Sequence, residues 1–260
     1  MTESADEATR VLILGGTGEA AALAMRLARR RDLAVITSLA GRTRAPAAIP
    51  GETRRGGFGG VAGLTAFLQR RAIDLVIDAT HPFAATISAN AVAACRRVGV
   101  PRLVLCRPPW PAQPHDRWIR VADAAAAATV LPELGRRIFL TTGQRDIAAF
   151  SALETLWFLV RLIDPPQRPL PLANHMLILG RGPFSAFDEA VLFAEHGIDV
   201  LVAKNSGGLA TYGKIEAARK CGLPVVMIER PPAPEGDIVA TVDAALAWID
   251  TYRPPGPTPA

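Results

Sequence analysis

Val11-Leu12-Ile13-Leu14-Gly15-Gly16-Thr17-Gly18-Glu19-Ala20-Ala21 is the stretch that decides how this chain is read. Four apolar, β-type residues run into a glycine turn and then straight into residues with helical spacing. Gly16, Gly18 and Ala21 match the dinucleotide fingerprint G-x-G-x-x-G/A. The glycines allow a tight turn and a close approach of backbone to a pyrophosphate. The helix behind them offers unpaired N–H groups and the positive end of its dipole. The competing reading is a plain tight turn between strand and helix. The strand before and the helix after favour nucleotide binding, with Gly16, Thr17, Gly18 and Glu19 as its first candidate contacts.

A fingerprint selective for NAD places Asp or Glu roughly 20 residues on, at the end of the second strand, to hold the ribose 2′-OH. The second strand reads as 34–37. The loop after it, Ser38-Leu39-Ala40-Gly41-Arg42-Thr43-Arg44, holds no carboxylate. A guanidinium fork matches a phosphate, so Ser38, Arg42 and Thr43 are expected around a 2′-phosphate, and the expected cofactor is NADPH. The competing reading is compositional: Lys and Arg total 29, and only three of these are lysine.

The 260 residues suffice for one or two domains with sizeable cores. The net charge of +5 is spread along the chain. It forms no dense basic block interleaved with aromatics, which argues against a nucleic acid and for a small polyanion. Cys95, Cys106 and Cys221 have no metal or redox spacing, so free thiols and no metal site are expected. Met1 to Arg10 is polar and acidic, and no apolar run is long enough to span a membrane. The expectation is a soluble cytoplasmic protein without a membrane partner. Oligomeric state leaves no trace in the sequence.

Strand-like and helix-like segments alternate, which predicts an α/β protein of two Rossmann-like domains with mainly parallel sheets and a cleft between them. The first half reads as strand 11–14, helix 18–31, strand 34–37, helix 62–71, strand 73–79, helix 84–98 and strand 102–106. Arg107-Pro108-Pro109-Trp110-Pro111, with Pro114 soon after, continues neither helix nor central strand, and marks the domain crossing. The second half reads as helix 122–131, strand 137–141, helix 146–152, strands 156–161 and 175–179, helix 184–196, strand 198–203, helix 213–221, strand 224–228 and helix 237–250. The expected domains are therefore 1–107 for the dinucleotide and 108–252 for substrate, with 253–260 a disordered tail.

Ligands of such folds sit beyond the carboxyl ends of strands, so the loops there carry the chemistry. Thr80 and His81 follow strand 73–79. Thr142, Gly143, Arg145 and Asp146 follow strand 137–141, and Arg181 follows strand 175–179. Lys204, Asn205, Ser206, Gly207 and Gly208 follow strand 198–203. Each loop alone is also an ordinary polar turn. Together they make a basic, donor-rich edge suited to several carboxylates. His81 is a candidate for a catalytic or substrate role, and His81–Pro82 for a cis peptide bond. Asp146 is either a dipole partner in a first helical turn or an acceptor for a ring N–H. Two further functions stay open on these residues. One is a non-catalytic NADPH-binding redox regulator, which needs no second polar edge; the other is an NADPH reductase of another small acid.

Gly15-Gly16-Thr17-Gly18-Glu19-Ala20, Asp78-Ala79-Thr80-His81-Pro82-Phe83-Ala84, Thr141-Thr142-Gly143, Gly182-Pro183-Phe184 and Lys204-Asn205-Ser206-Gly207-Gly208 with Lys214 occur in this order. Together they resemble the precorrin-6A reductases of cobalamin biosynthesis, over roughly residues 11 to 250. The resemblance implies NADPH-dependent reduction of one double bond of a corrin precursor to precorrin-6B, with hydride to C19 and a proton to C18, and neither flavin nor metal. It implies a tetrapyrrole polycarboxylate as partner, and adds Lys214 to the substrate-binding candidates.

Overall fold

The computed structural model describes residues 8–40 and 49–252. Arg42, Thr43 and the expected tail 253–260 lie outside them. The chain divides into two compact units, 1–107 with 232–260, and 108–231.

The first unit opens with β1 (Thr9–Leu14), whose last four residues are fully buried. α1 (Gly18–Leu27) starts where the Thr17 hydroxyl accepts from the Ala20 N–H, the side-chain cap a helix start requires. β2 (Leu33–Leu39), β3 (Glu52–Arg55), α2 (Gly60–Arg70), β4 (Leu75–Asp78), α3 (Ala85–Val98) and β5 (Arg102–Leu105) follow. α3 ends at Gly99, which adopts the left-handed conformation at φ +73°.

In the second unit come β6 (Arg117–Val121), α4 (Ala124–Val130), β7 (Arg137–Leu140), β8 (Trp157–Leu162), β9 (His175–Leu179), α5 (Ala186–Glu195), β10 (Val200–Lys204), α6 (Gly213–Lys220) and β11 (Pro224–Ile228). Its sheet has the order β6-β11-β10-β7-β8-β9, and every pairing is parallel. Its core gathers Phe139, Leu159, Leu201, Ile215 and Met227.

The chain then returns to the first unit with β12 (Asp237–Val239) and α7 (Val242–Thr251). This corrects the expected second domain of 108–252, which ends at Pro231 instead. The cause is an uncovered edge and face. β12 pairs in parallel with β5, and the Cys106 N–H donates to the Val239 carbonyl. Ala245 and Ile249 of α7 close the core against Ala20, Leu23 and Leu27 of α1. The first sheet thereby reads β12-β5-β4-β1-β2-β3, all parallel. Chain order reverses between β1 and β4, the switch point where such sheets take ligands.

Three strands were not anticipated, and all three lie at sheet edges. β3 is Glu-Thr-Arg-Arg, with no apolar residue to signal it. β6 follows the proline run, and β12 is only three residues long. Edge strands bury little, so they carry little hydrophobic pattern. The expected helix 237–250 splits for this reason into β12 and α7, with Thr241 as cap. The expected helix 146–152 is a 3₁₀ stretch over Gln144–Phe150. Ser38, expected in a loop, is a buried residue of β2.

Candidate active site

In the first unit the site grows from the turn after β1. Gly16 stands at φ +119°, a conformation costly for any residue with a Cβ. The Gly15 N–H donates to the Ser38 carbonyl, which ties the turn to the end of β2. The Thr17 hydroxyl donates to the Ala79 carbonyl at 2.8 Å, which ties it to the loop after β4. That hydroxyl thus works inside the fold, as helix cap and strand tie. The backbone around Gly16 and the first turn of α1 is what remains for an anion.

Glu19 stands in the same first turn, where a carboxylate opposes a bound pyrophosphate. Arg107 Nη1 meets Glu19 Oε2 at 2.8 Å and offsets that charge. A glycine turn of this conformation, a helix start at the switch point and a neutralised Glu19 together fit a dinucleotide phosphate.

Asp78 ends β4 and is only 2 % exposed. Its Oδ1 accepts from the Thr80 N–H at 3.2 Å and the Thr80 hydroxyl at 2.7 Å. Thr80 Oγ1 also lies 3.4 Å from Ser88 Oγ. Asp78 therefore shapes the loop that carries His81, a role sequence reasoning passed over. His81 is exposed, and its Nδ1 accepts from the Phe83 N–H at 3.2 Å. A neutral His81 ring with that acceptor carries its proton on Nε2. The His81–Pro82 bond is trans; the cis X–Pro bond of the described residues is Gly182–Pro183.

In the second unit the loops after β7 and β10 meet, because these strands are neighbours. Lys204 Nζ stands 2.5 Å from Asp146 Oδ2. Asp146 is thus partner to a cation within the unit. Thr142 Oγ1 is buried without a hydrogen-bond partner among the described residues. Gly143 follows at φ +84°. Arg145 and Arg181 are both exposed.

The side-chain amide of Asn205 is engaged within the unit. Its Oδ1 accepts from the Trp110 N–H at 2.8 Å, and its Nδ2 donates to the Trp110 carbonyl at 3.4 Å. Trp110 in turn donates its indole N–H to the Gly208 carbonyl at 2.8 Å. A Cβ on Gly207 would lie 2.0 Å from the Pro108 carbonyl oxygen, so only glycine fits there. Ser206 is buried and donates its N–H to the Lys204 carbonyl. The segment 205–208, expected to present donors to substrate, also grips residues 108–110.

Lys214, a substrate-binding candidate by resemblance, is only 7 % exposed. Its Nζ lies 5.7 Å from the Trp110 ring centroid. Burial pulls its pKa down to about 8, while Glu189 raises it and Arg161 lowers it further. Among the described residues no group of His, Cys, Asp and Glu is arranged to hold a metal ion. No described helix is long and apolar enough to cross a membrane.

Comparison with known proteins agrees with this geometry. The family model described as "Precorrin-6x reductase CbiJ/CobK" matches residues 10–250. The precorrin-6A reductase of Rhodococcus erythropolis is 51 % identical over 244 residues, covering 94 % of this chain and 98 % of that protein. The cobalt-precorrin-6A reductase of Salmonella typhimurium is 31 % identical over 252 residues, covering 91 % and 94 %. The solved structure of CobK precorrin-6A reductase is 48 % identical, with a TM-score of 0.88 over 94 % of this chain and 96 % of that one.

Proposed function

The chain belongs to the precorrin-6x reductase family, and from that premise we propose that it reduces precorrin-6A to precorrin-6B with NADPH in cobalamin biosynthesis. The carrying observation is the turn after β1: Gly16 at φ +119° and the capped start of α1, placed where the sheet order reverses. When bound, NADPH would supply the hydride for ring carbon C19, with a proton completing the reduction at C18.

The chain's own residues bind and orient. The backbone of Gly16 to Glu19 holds the pyrophosphate, with Arg107 offsetting Glu19. Ser38, at the carboxyl end of β2, marks the side of the 2′-phosphate, Arg42 and Thr43 remain candidates for it outside the described residues, and Thr80 is assigned to the dinucleotide at the end of β4. His81 presents an Nε2–H from the same loop, a donor able to hold the proton that the macrocycle takes up. In the second unit, Arg145, Arg181 and Lys204 address substrate carboxylates from loops at the carboxyl ends of strands, with Thr142 and Gly143 beside them. A conjugated, iminium-like acceptor is already electrophilic, so positioning rather than strong acid catalysis is the protein's main contribution.

The cobalt-free precursor is the favoured substrate, because relatives named precorrin-6A reductase reach 51 % identity and those named cobalt-precorrin-6A reductase reach 31 %. Anaerobic NADPH oxidation with each precursor tests this. Turnover of precorrin-6A alone, or far faster than of its cobalt form, is expected. Turnover of the cobalt form alone reverses the assignment, and turnover of neither removes the activity.

Arg181→Ala is expected to raise KM about fivefold with kcat little changed, the effect of one exposed charge contact worth about 1 kcal/mol. The effect should shrink as salt is added. A wild-type KM at low salt would leave the loop after β9 without a substrate role. Lys204→Ala is less clean, since it also strips Asp146 of its cation.

A further inference from the structure

We infer that Arg54, on the short edge strand β3, is the residue that reads the 2′-phosphate of the dinucleotide and so selects NADPH over NADH. The inference rests on the dinucleotide reading above and adds a determinant that neither motif nor spacing indicated. Arg54 pairs in register with Ser38 at the carboxyl end of β2. This is where dinucleotide folds meet the adenosine ribose. The Gly15 N–H to Ser38 carbonyl bond ties the same spot to the glycine turn.

The guanidinium is held before any ligand arrives. Its Nη1 donates to Ser38 Oγ at 2.8 Å and to the Gly56 carbonyl at 3.0 Å, and its Nη2 to the Gly57 carbonyl at 3.0 Å. The plane lies over the Phe58 ring, 3.8 Å from its centroid. Arginine has five N–H donors. The Nε–H and the second Nη2–H remain, and no described residue accepts from them. Two donors in a rigid fork are what phosphate takes bidentately.

No described carboxylate pairs with Arg54, and Ser38 through Gly51 contains no Asp or Glu. Partial burial lowers the pKa of Arg54 without neutralising it. A half-buried cation with no anion among the described residues, locked by a ring and three hydrogen bonds, is built for an anion from outside. The opposite case shows the contrast: Arg71 is on the same unit's surface and already carries Glu52 as its partner.

Calorimetric titration of the full chain with NADP⁺, NAD⁺, adenosine 2′,5′-bisphosphate and 5′-AMP tests the inference. Arg54→Gln should weaken NADP⁺ and the bisphosphate about ten- to hundredfold, the range for hydrogen bonds to a charged group. NAD⁺ and 5′-AMP should stay within about twofold. Arg54→Lys, which restores charge but not the fork, should recover only part of the loss. Phe58→Leu leaves the charge and removes the ring beneath it; NADP⁺ should weaken about three- to fivefold and NAD⁺ not at all. This variant carries the test if Arg54→Gln fails to fold, and equal weakening of both dinucleotides in it overturns the inference. Wild-type NADP⁺ affinity in Arg54→Gln, or equal loss for both dinucleotides, overturns it too. A wild-type chain that binds neither dinucleotide removes the cofactor reading itself, a result distinct from those.

Discussion

Arg161→Leu is expected to destabilise the second unit by about 3–5 kcal/mol, the cost of stranding one member of a buried ion pair. Arg161 of β8 and Glu189 of α5 form a bidentate pair, with Nη1–Oε1 at 2.6 Å and Nη2–Oε2 at 2.8 Å. Their side chains are 12 % and 1 % exposed. The guanidinium also lies over two rings, 4.7 Å from the Phe139 centroid and 4.0 Å from that of Phe184. Leucine keeps the bulk but leaves the Glu189 carboxylate dry and unpaired. Arg161→Leu with Glu189→Leu should recover most of the loss, because it removes both charges. Phe184 belongs to the loop that carries Arg181, so loosening this pair also loosens a candidate substrate loop. Urea unfolding followed by tryptophan fluorescence reads this, since Trp110, Trp118 and Trp157 all lie in the second unit. A single variant within about 1 kcal/mol of wild type would show that the pair is dispensable for stability.

Lys214→Met is expected to stabilise the protein by up to about 3 kcal/mol at pH 7, and progressively less as pH rises. The ammonium of Lys214 is buried beside Trp110, and its pKa falls from 10.5 to about 8. The native chain therefore releases this proton at lower pH than the unfolded chain does. Below pH 8 both states carry the charge, and the native state bears the full desolvation penalty. Between pH 8 and 10.5 the unfolded chain binds more protons, so the stability due to this residue rises with pH. Above 10.5 the ammonium is neutral in both states, and the advantage of methionine vanishes. Urea unfolding of both proteins at pH 7 and pH 10 isolates the term, because every other group titrates alike in the two. A methionine variant less stable than wild type at pH 7 would contradict it. Lys214 stands in the first turn of α6, after the 204–208 loop; turnover of a well-folded Lys214→Met separates a substrate role from a structural one.

The central strands β1, β4, β5, β7, β8, β10 and β11 were legible because strands buried on both faces must be apolar nearly throughout. α1 was legible because Gly16, Gly18 and the Thr17 cap are local devices, set by residues within a turn of one another. Arg54 escaped notice for the opposite reason. Its strand, Glu52–Arg55, buries so little that nothing marks it as a strand, and only its pairing with β2 brings Arg54 to Ser38.

The sequence by itself determined the alternating α/β order, the glycine turn and the family, since these depend on near neighbours and on motifs read in line. Tertiary structure alone decided where β12 and α7 belong, because an open sheet edge and the bare face of α1 lie far from them along the chain. It alone decided the fate of each polar loop residue as well. Asn205 is turned inward onto Trp110, Lys204 onto Asp146, and Lys214 is buried, while Arg145 and Arg181 stay exposed. All five sit in or just behind polar turns after strands and read alike in sequence. What separates them is which partner the packing brings within hydrogen-bond reach, and how much water it removes.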